Sequence, residues 1–165
     1  MFLKIAPIAA AALFSISAFA VEKEFTVTAQ IDPTIELLRP DGTALDPNLT
    51  MGHSPVTGLS AVNFDAKVFT NDATKAVEFR LSGTPKLLNQ TVPSADAIPL
   101  AVRVDGKAVT VEGIKMNATE LFHGDEKGSK VLPISIAQAT PAAVTTAGVY
   151  TGAVRLVVTQ AASTL

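Results

Sequence analysis

The chain has no cysteine and no tryptophan among its 165 residues. The lack of cysteine excludes a disulfide framework and any thiolate metal site, so a domain of this sequence must rest on its core or on association with partners. Charge is also sparse. There are 13 Lys and Arg against 15 Asp and Glu, and no basic run or stripe that would mark a nucleic-acid footprint. The only histidines, His53 and His123, stand apart from any cluster of carboxylates, so they read as surface or loop residues and not as ligands. The sequence has no Gly-x-Ser-x-Gly elbow and no phosphate-cradling glycine loop. The acidic pair Asp125-Glu126 lies beside Lys127 and Lys130 in a polar stretch, which reads as a solvated turn. Three Asn-x-Thr triplets, at Asn48, Asn89 and Asn117, fit the N-glycosylation acceptor pattern. No enzyme, cofactor or metal is expected.

What is present begins with the N-terminus. Lys4 precedes an uncharged apolar stretch over residues 5–19, and Ala18-Phe19-Ala20 is a small-x-small cleavage site. Residues 1–20 therefore read as a signal peptide, and no later segment is long and apolar enough to cross a bilayer as a helix. The remainder, 21–165, suits one domain.

Most of that remainder alternates between apolar and polar residues, the two-residue period of half-buried strands. Phe25, Val27, Ala29 and Ile31 alternate with Glu24, Thr26, Thr28 and Gln30 until Asp32-Pro33 interrupts. Ile35 to Leu38 forms a short strand ending at the turn 39–42. Leu49 and Met51 fit a short edge strand. Further strands are expected at 62–68, at 77–81, and from Ile98 to Val104. Asp105-Gly106 then signals a tight hairpin, with Val109 and Val111 on the return. A short helix is expected near 117–122, and a strand at 132–136, with Pro133 suggesting a sheet edge. A last strand would carry Tyr150, Gly152, Val154, Leu156 and Val158 on one face. Seven or more short strands separated by turns predict an all-β, immunoglobulin-like β-sandwich.

The first strand after the leader, residues 21–31, is unusual because terminal segments are ordered only when something ties them down. The residues alone leave two readings open. It is the domain's own edge strand, or it is a strand added in trans to the sheet of a neighbour.

Residues 21–33 (VEKEFTVTAQIDP), followed by Ile35-Glu36-Leu37-Leu38 and Asp41-Gly42, resemble the mature N-terminus of class 5 fimbrial major subunits. These are the pilins of the colonisation factor antigen I type, with cable-pilus subunits as relatives. Residues 69–75 (FTNDATK) and 147–154 (AGVYTGAV) resemble an internal motif and the final strand of the same family.

The resemblance implies an immunoglobulin-like domain lacking its final strand, completed by donor-strand exchange. A periplasmic chaperone would fill the open groove until an outer-membrane usher exchanged it for the next subunit's extension. By position, the donor strand would be Val21, Lys23, Phe25, Val27, Ala29 and Ile31. Asp32 and Pro33 would be the hinge, with residues 21–33 forming the extension and 34–165 the pilin domain. Ile35, Leu37, Tyr150, Val154, Leu156 and Val158 would line the acceptor groove and the chaperone edge. The implied function is the rod-forming major subunit of an adhesive fimbria on the cell surface. Its partners would be copies of itself, the chaperone, the usher and a tip adhesin, with any host receptor indirect. The alternatives are a fimbrial subunit that itself binds a host glycan or protein, and a stand-alone exported immunoglobulin-like module.

Overall fold

A computed structural model describes residues 34–124 and 128–161. The N-terminal strand expected at 21–31, the hinge Asp32-Pro33 and the leader lie outside the described residues. So does the acidic pair Asp125-Glu126.

The elements follow the alternation in the sequence. They are β1 (Ile35–Leu38), β2 (His53–Ser54), β3 (Gly58–Leu59), β4 (Val62–Thr70), β5 (Val77–Leu81), β6 (Lys86–Asn89) and β7 (Ile98–Val104). After them come β8 (Lys107–Val109), β9 (Ile114–Met116), α1 (Ala118–Leu121), β10 (Leu132–Gln138), β11 (Tyr150–Thr151) and β12 (Leu156–Gln160). Among the described residues every pairing is antiparallel. The larger sheet runs β1-β4-β10-β7-β6-β11, with β8 also on β7. The smaller sheet runs β12-β5-β9, and β2-β3 is a separate hairpin.

The two larger sheets bury one face each against the other, as an immunoglobulin-like sandwich does. Alternate residues supply the core. Val77, Phe79 and Leu81 come from β5, and Leu100, Val102 and Val104 from β7. Leu132, Ile134 and Ile136 come from β10, all nearly inaccessible to solvent. The outward positions between them, such as Arg80, Pro99 and Arg103, stay exposed.

The hairpin at Asp105-Gly106 forms as expected. Both residues have positive φ, 50° and 75°, the geometry whose twist matches the flanking strands. Its return strand ends at Val109, however, and Val111 lies beyond it, exposed.

Three further expectations are corrected. Leu49 and Met51 are not in a strand, and the short hairpin there begins at His53. The stretch between 81 and 98, where no strand is expected from the alternation, contains one, β6. Pro133 is not at a sheet edge, because β10 pairs with β4 on one side and β7 on the other. The proline is tolerated for a local reason. Its carbonyl accepts from the Asp105 N–H at 2.9 Å. In a strand a residue's nitrogen faces the same side as its oxygen, so the missing N–H falls where β7 turns away.

Candidate subunit-binding groove

The expected continuous last strand is divided. Tyr150 and Thr151 form β11 and pair with Asn89 and Leu88 of β6 in the larger sheet. Leu156–Gln160 form β12 and pair with β5 in the smaller sheet. The chain changes sheets across residues 152–155, and where it passes β6 at Gly152 only glycine fits. A Cβ there would lie 2.0 Å from the Lys86 carbonyl oxygen. Gly148 is similarly crowded, against the side chain of Asn89. Asn89 is itself buried. Its Oδ1 accepts from the Thr91 and Val92 N–H groups, and its Nδ2 donates to the Ala147 carbonyl. The Tyr150 hydroxyl donates to the Thr146 carbonyl at 3.0 Å. The 148–152 block thus clamps β11 onto β6, and Tyr150 is corrected from the groove wall to the far edge of the larger sheet.

The other residues expected to line the groove come together at the opposite edge. In β1, Ile35 and Leu37 stand opposite Thr70 and Val68 of β4 and face inward. In β12, Leu156 and Val158 stand opposite Leu81 and Phe79 of β5 and also face inward. Val154, just before β12, packs with them on the same core. All five are only half-buried, whereas their cross-strand partners Val68, Phe79 and Leu81 are closed off from solvent.

Among the described residues, β1 pairs only with β4, and β12 only with β5. The two strands also lie near one another. Their Cα atoms come within 8 Å without sharing a ladder. Two strands flanking a third stand roughly 9.5 Å apart, twice the spacing of paired strands. The feature is therefore a narrow apolar seam between two raw edges, and it must widen to admit a strand. Unpaired edges over a half-covered core are what backbone pairing and alternate side chains can complete together.

One end of the seam is fixed by polar contacts. The Thr34 N–H donates to Asn71 Oδ1 at 3.0 Å. The Gln160 amide reaches across from β12 to Thr70 and Asp72. Asp72 accepts from the Thr74 hydroxyl, pairs with Lys75 at 3.1 Å, and is held below the usual carboxylate pKa chiefly by that Thr74 bond.

The rest of the surface offers little chemistry. A shallow depression of about 410 Å³ lies on the outer face of β4, β10 and β7, beside Asp65, Arg103 and Ser135. His53 and His123 are exposed and far apart in the chain. Among the described residues no group of His, Asp and Glu is arranged to hold a metal ion.

The chain matches the family model described as the CS1 type fimbrial major subunit over residues 21–159. It is 37% identical over 154 residues to a CFA/I fimbrial subunit of Escherichia coli O78:H11 (strain H10407 / ETEC), covering 88% of each chain. It is also 37% identical over 164 residues to a CS1 fimbrial subunit of Escherichia coli, covering 94% of this chain and 95% of that one. Among solved structures, the CooA pilin subunit from enterotoxigenic Escherichia coli superposes with a TM-score of 0.66 at 31% identity, covering 79% of this chain and 88% of that chain. The chain therefore belongs to the CS1-type fimbrial major subunits, structural pilins that are exported and form surface fimbriae, and not enzymes.

Proposed function

We propose that this pilin builds the rod of an adhesive fimbria by strand addition. With residues 1–20 removed, the extension 21–33 of one copy enters the seam between β1 and β12 of the next, pivoting at Asp32-Pro33. Phe25, Val27, Ala29 and Ile31 then supply the alternate apolar side chains, with Val21 and Lys23 at the outer end. A periplasmic chaperone occupies the seam until an outer-membrane usher exchanges it for the next extension. The finished polymer carries a tip adhesin away from the cell, so contact with the host is indirect.

One observation carries this reading: β1 and β12 lie side by side, each paired on one edge only among the described residues, over half-covered Ile35, Leu37, Leu156 and Val158. Backbone hydrogen bonds from an inserted strand give affinity, and its alternate side chains give register. Burying Phe25, Val27 and Ile31 contributes about 1.5–3 kcal/mol each, and Ala29 less.

The test is deletion of residues 21–31. A pilin without them should fold with its chaperone and fail to extend a fibre, and wild-type pilins should run as a ladder in unheated detergent gels that collapses on boiling. Fibres of normal length from the deleted chain would refute the reading.

A further inference from the structure

The strand-addition reading leaves the direction and register of the incoming strand open, and the inference here rests on that reading. The inner face of β12 presents Leu156, Val158 and Gln160 opposite Leu81, Phe79 and Val77. The first two continue the core, and Gln160 is the polar member of the row. Its Nε2 donates to Thr70 Oγ1 at 2.8 Å and to the Asp72 backbone oxygen at 2.7 Å. Thr70 is the partner of Ile35, so the amide crosses from β12 to β4 at the level where β1 begins. A glutamine amide has two N–H donors and one acceptor oxygen. With both donors used, Oε1 is the amide's remaining hydrogen-bonding atom, at the level where β1 begins. An apolar side chain placed there would bury the oxygen without a donor. A donor would complete it, and a charged donor most strongly.

On the apolar face of the extension, Val21, Lys23, Phe25, Val27, Ala29 and Ile31, the single side chain with donors is Lys23. We propose that Gln160 sets the register of assembly by receiving Lys23 of the incoming pilin, with the strands antiparallel. Phe25 then stands opposite Val158, Val27 opposite Leu156, and Ala29 at the level of Val154. A parallel strand could bring Lys23 to Gln160 only by placing Val21 and the residues before it along β12, leaving Phe25, Val27, Ala29 and Ile31 outside the seam. A slip of two residues one way sets Phe25 against the amide. A slip the other way sets the Lys23 charge against Val158 and Phe79. A one-residue slip turns the apolar face outward. The flexible stem of Lys23 lies along apolar surface while its ammonium reaches the acceptor.

The absence of native cysteine makes disulfide mapping in assembled fibres clean. A chain carrying Phe25→Cys with Val158→Cys should give a ladder that survives boiling without reductant. Chains pairing Val158→Cys with Lys23→Cys or with Val27→Cys should not. A covalent ladder from either neighbouring pair in its place overturns the register and leaves strand addition standing. Fibres that form with no cross-link from any pair overturn both. Should the cysteine chains fail to assemble, synthetic peptides of residues 21–31 can compete for the full-length pilin. The Lys23→Met peptide should bind about ten-fold more weakly than the natural one. That difference should vanish when the pilin carries Gln160→Leu. Equal binding of the two peptides to the natural pilin overturns the proposal.

Discussion

Replacing Gly152 by alanine tests whether the sheet change between β11 and β12 is built on close backbone packing. The new Cβ would sit 2.0 Å from the Lys86 carbonyl oxygen and 3.0 Å from its carbon, where ordinary contact begins at 3.4 Å. The obstructing atoms are backbone of β6, so they cannot swing aside as a side chain would. Relief requires β11 to move from β6 by more than 1 Å, which strains the pairing of Tyr150 with Asn89 and the 2.7 Å bond from the Gln90 N–H to the Val149 oxygen. Overpacking of this kind costs about 1–3 kcal/mol, and each weakened hydrogen bond adds about 1 kcal/mol. A total of about 3–4 kcal/mol lowers Tm by roughly 10–15 °C in a domain of this size. Calorimetry on the purified protein reads the effect. Gly83→Ala is the control, since nothing lies within 4 Å of a Cβ there, and it should change stability by less than about 0.5 kcal/mol. Equal Tm values for the two variants would refute the account of the clamp.

Other consequences can be measured directly. Val158→Asp places a charge on the seam wall opposite Phe79 and should abolish assembly, read as loss of the heat-labile ladder. Wild-type ladders would remove Val158 from the interface. Ser129→Ala should cost about 1–3 kcal/mol in denaturant unfolding, because the buried Ser129 hydroxyl accepts from the Val68 N–H at 2.9 Å and donates to the Lys130 carbonyl. Asn89→Ala should cost a similar amount, since it strips the Thr91 and Val92 N–H groups of their acceptor. Asp72 has its folded pKa depressed from 3.8, first by the Thr74 hydroxyl, so its contribution is complete above that value and is lost as pH falls through the lower folded value. Asp72→Asn should flatten the acid side of the stability profile below about pH 4, and an unchanged profile would count against that bond.

The long strands are legible in the sequence because their inner faces repeat every second residue. Val77, Phe79 and Leu81 show this, as do Ile98, Leu100, Val102 and Val104. The seam walls at Ile35, Leu37, Leu156 and Val158 are legible for the same reason. The family likeness is carried by the motifs at residues 21–42, 69–75 and 147–154, and pattern alone leaves two readings of the first strand open. What escapes sequence reasoning lacks the pattern or depends on distant contacts. β6 reads Lys-Leu-Leu-Asn, with two adjacent leucines and no alternation, and it gains strand form from β7 and β11. β9 has only three residues and is held by β5. The division at 152–155 hides within a run from Tyr150 to Val158 that reads as one strand, because the change of partner from β6 to β5 depends on contacts distant in the chain. Pro133 misleads because a proline's tolerance depends on where its neighbour strand stops.

β1 begins and β12 ends at the same side of the sandwich, near the 70–77 turn. In a fibre joined through the seam, tension enters each pilin at residue 34 and leaves along a strand lying lengthwise beside β12. Such a joint is loaded in shear, so its backbone bonds must fail together and not peel one by one. A rod of these pilins would resist a sudden pull far better than its non-covalent links suggest, and it would part only when heat or denaturant loosened a whole sandwich.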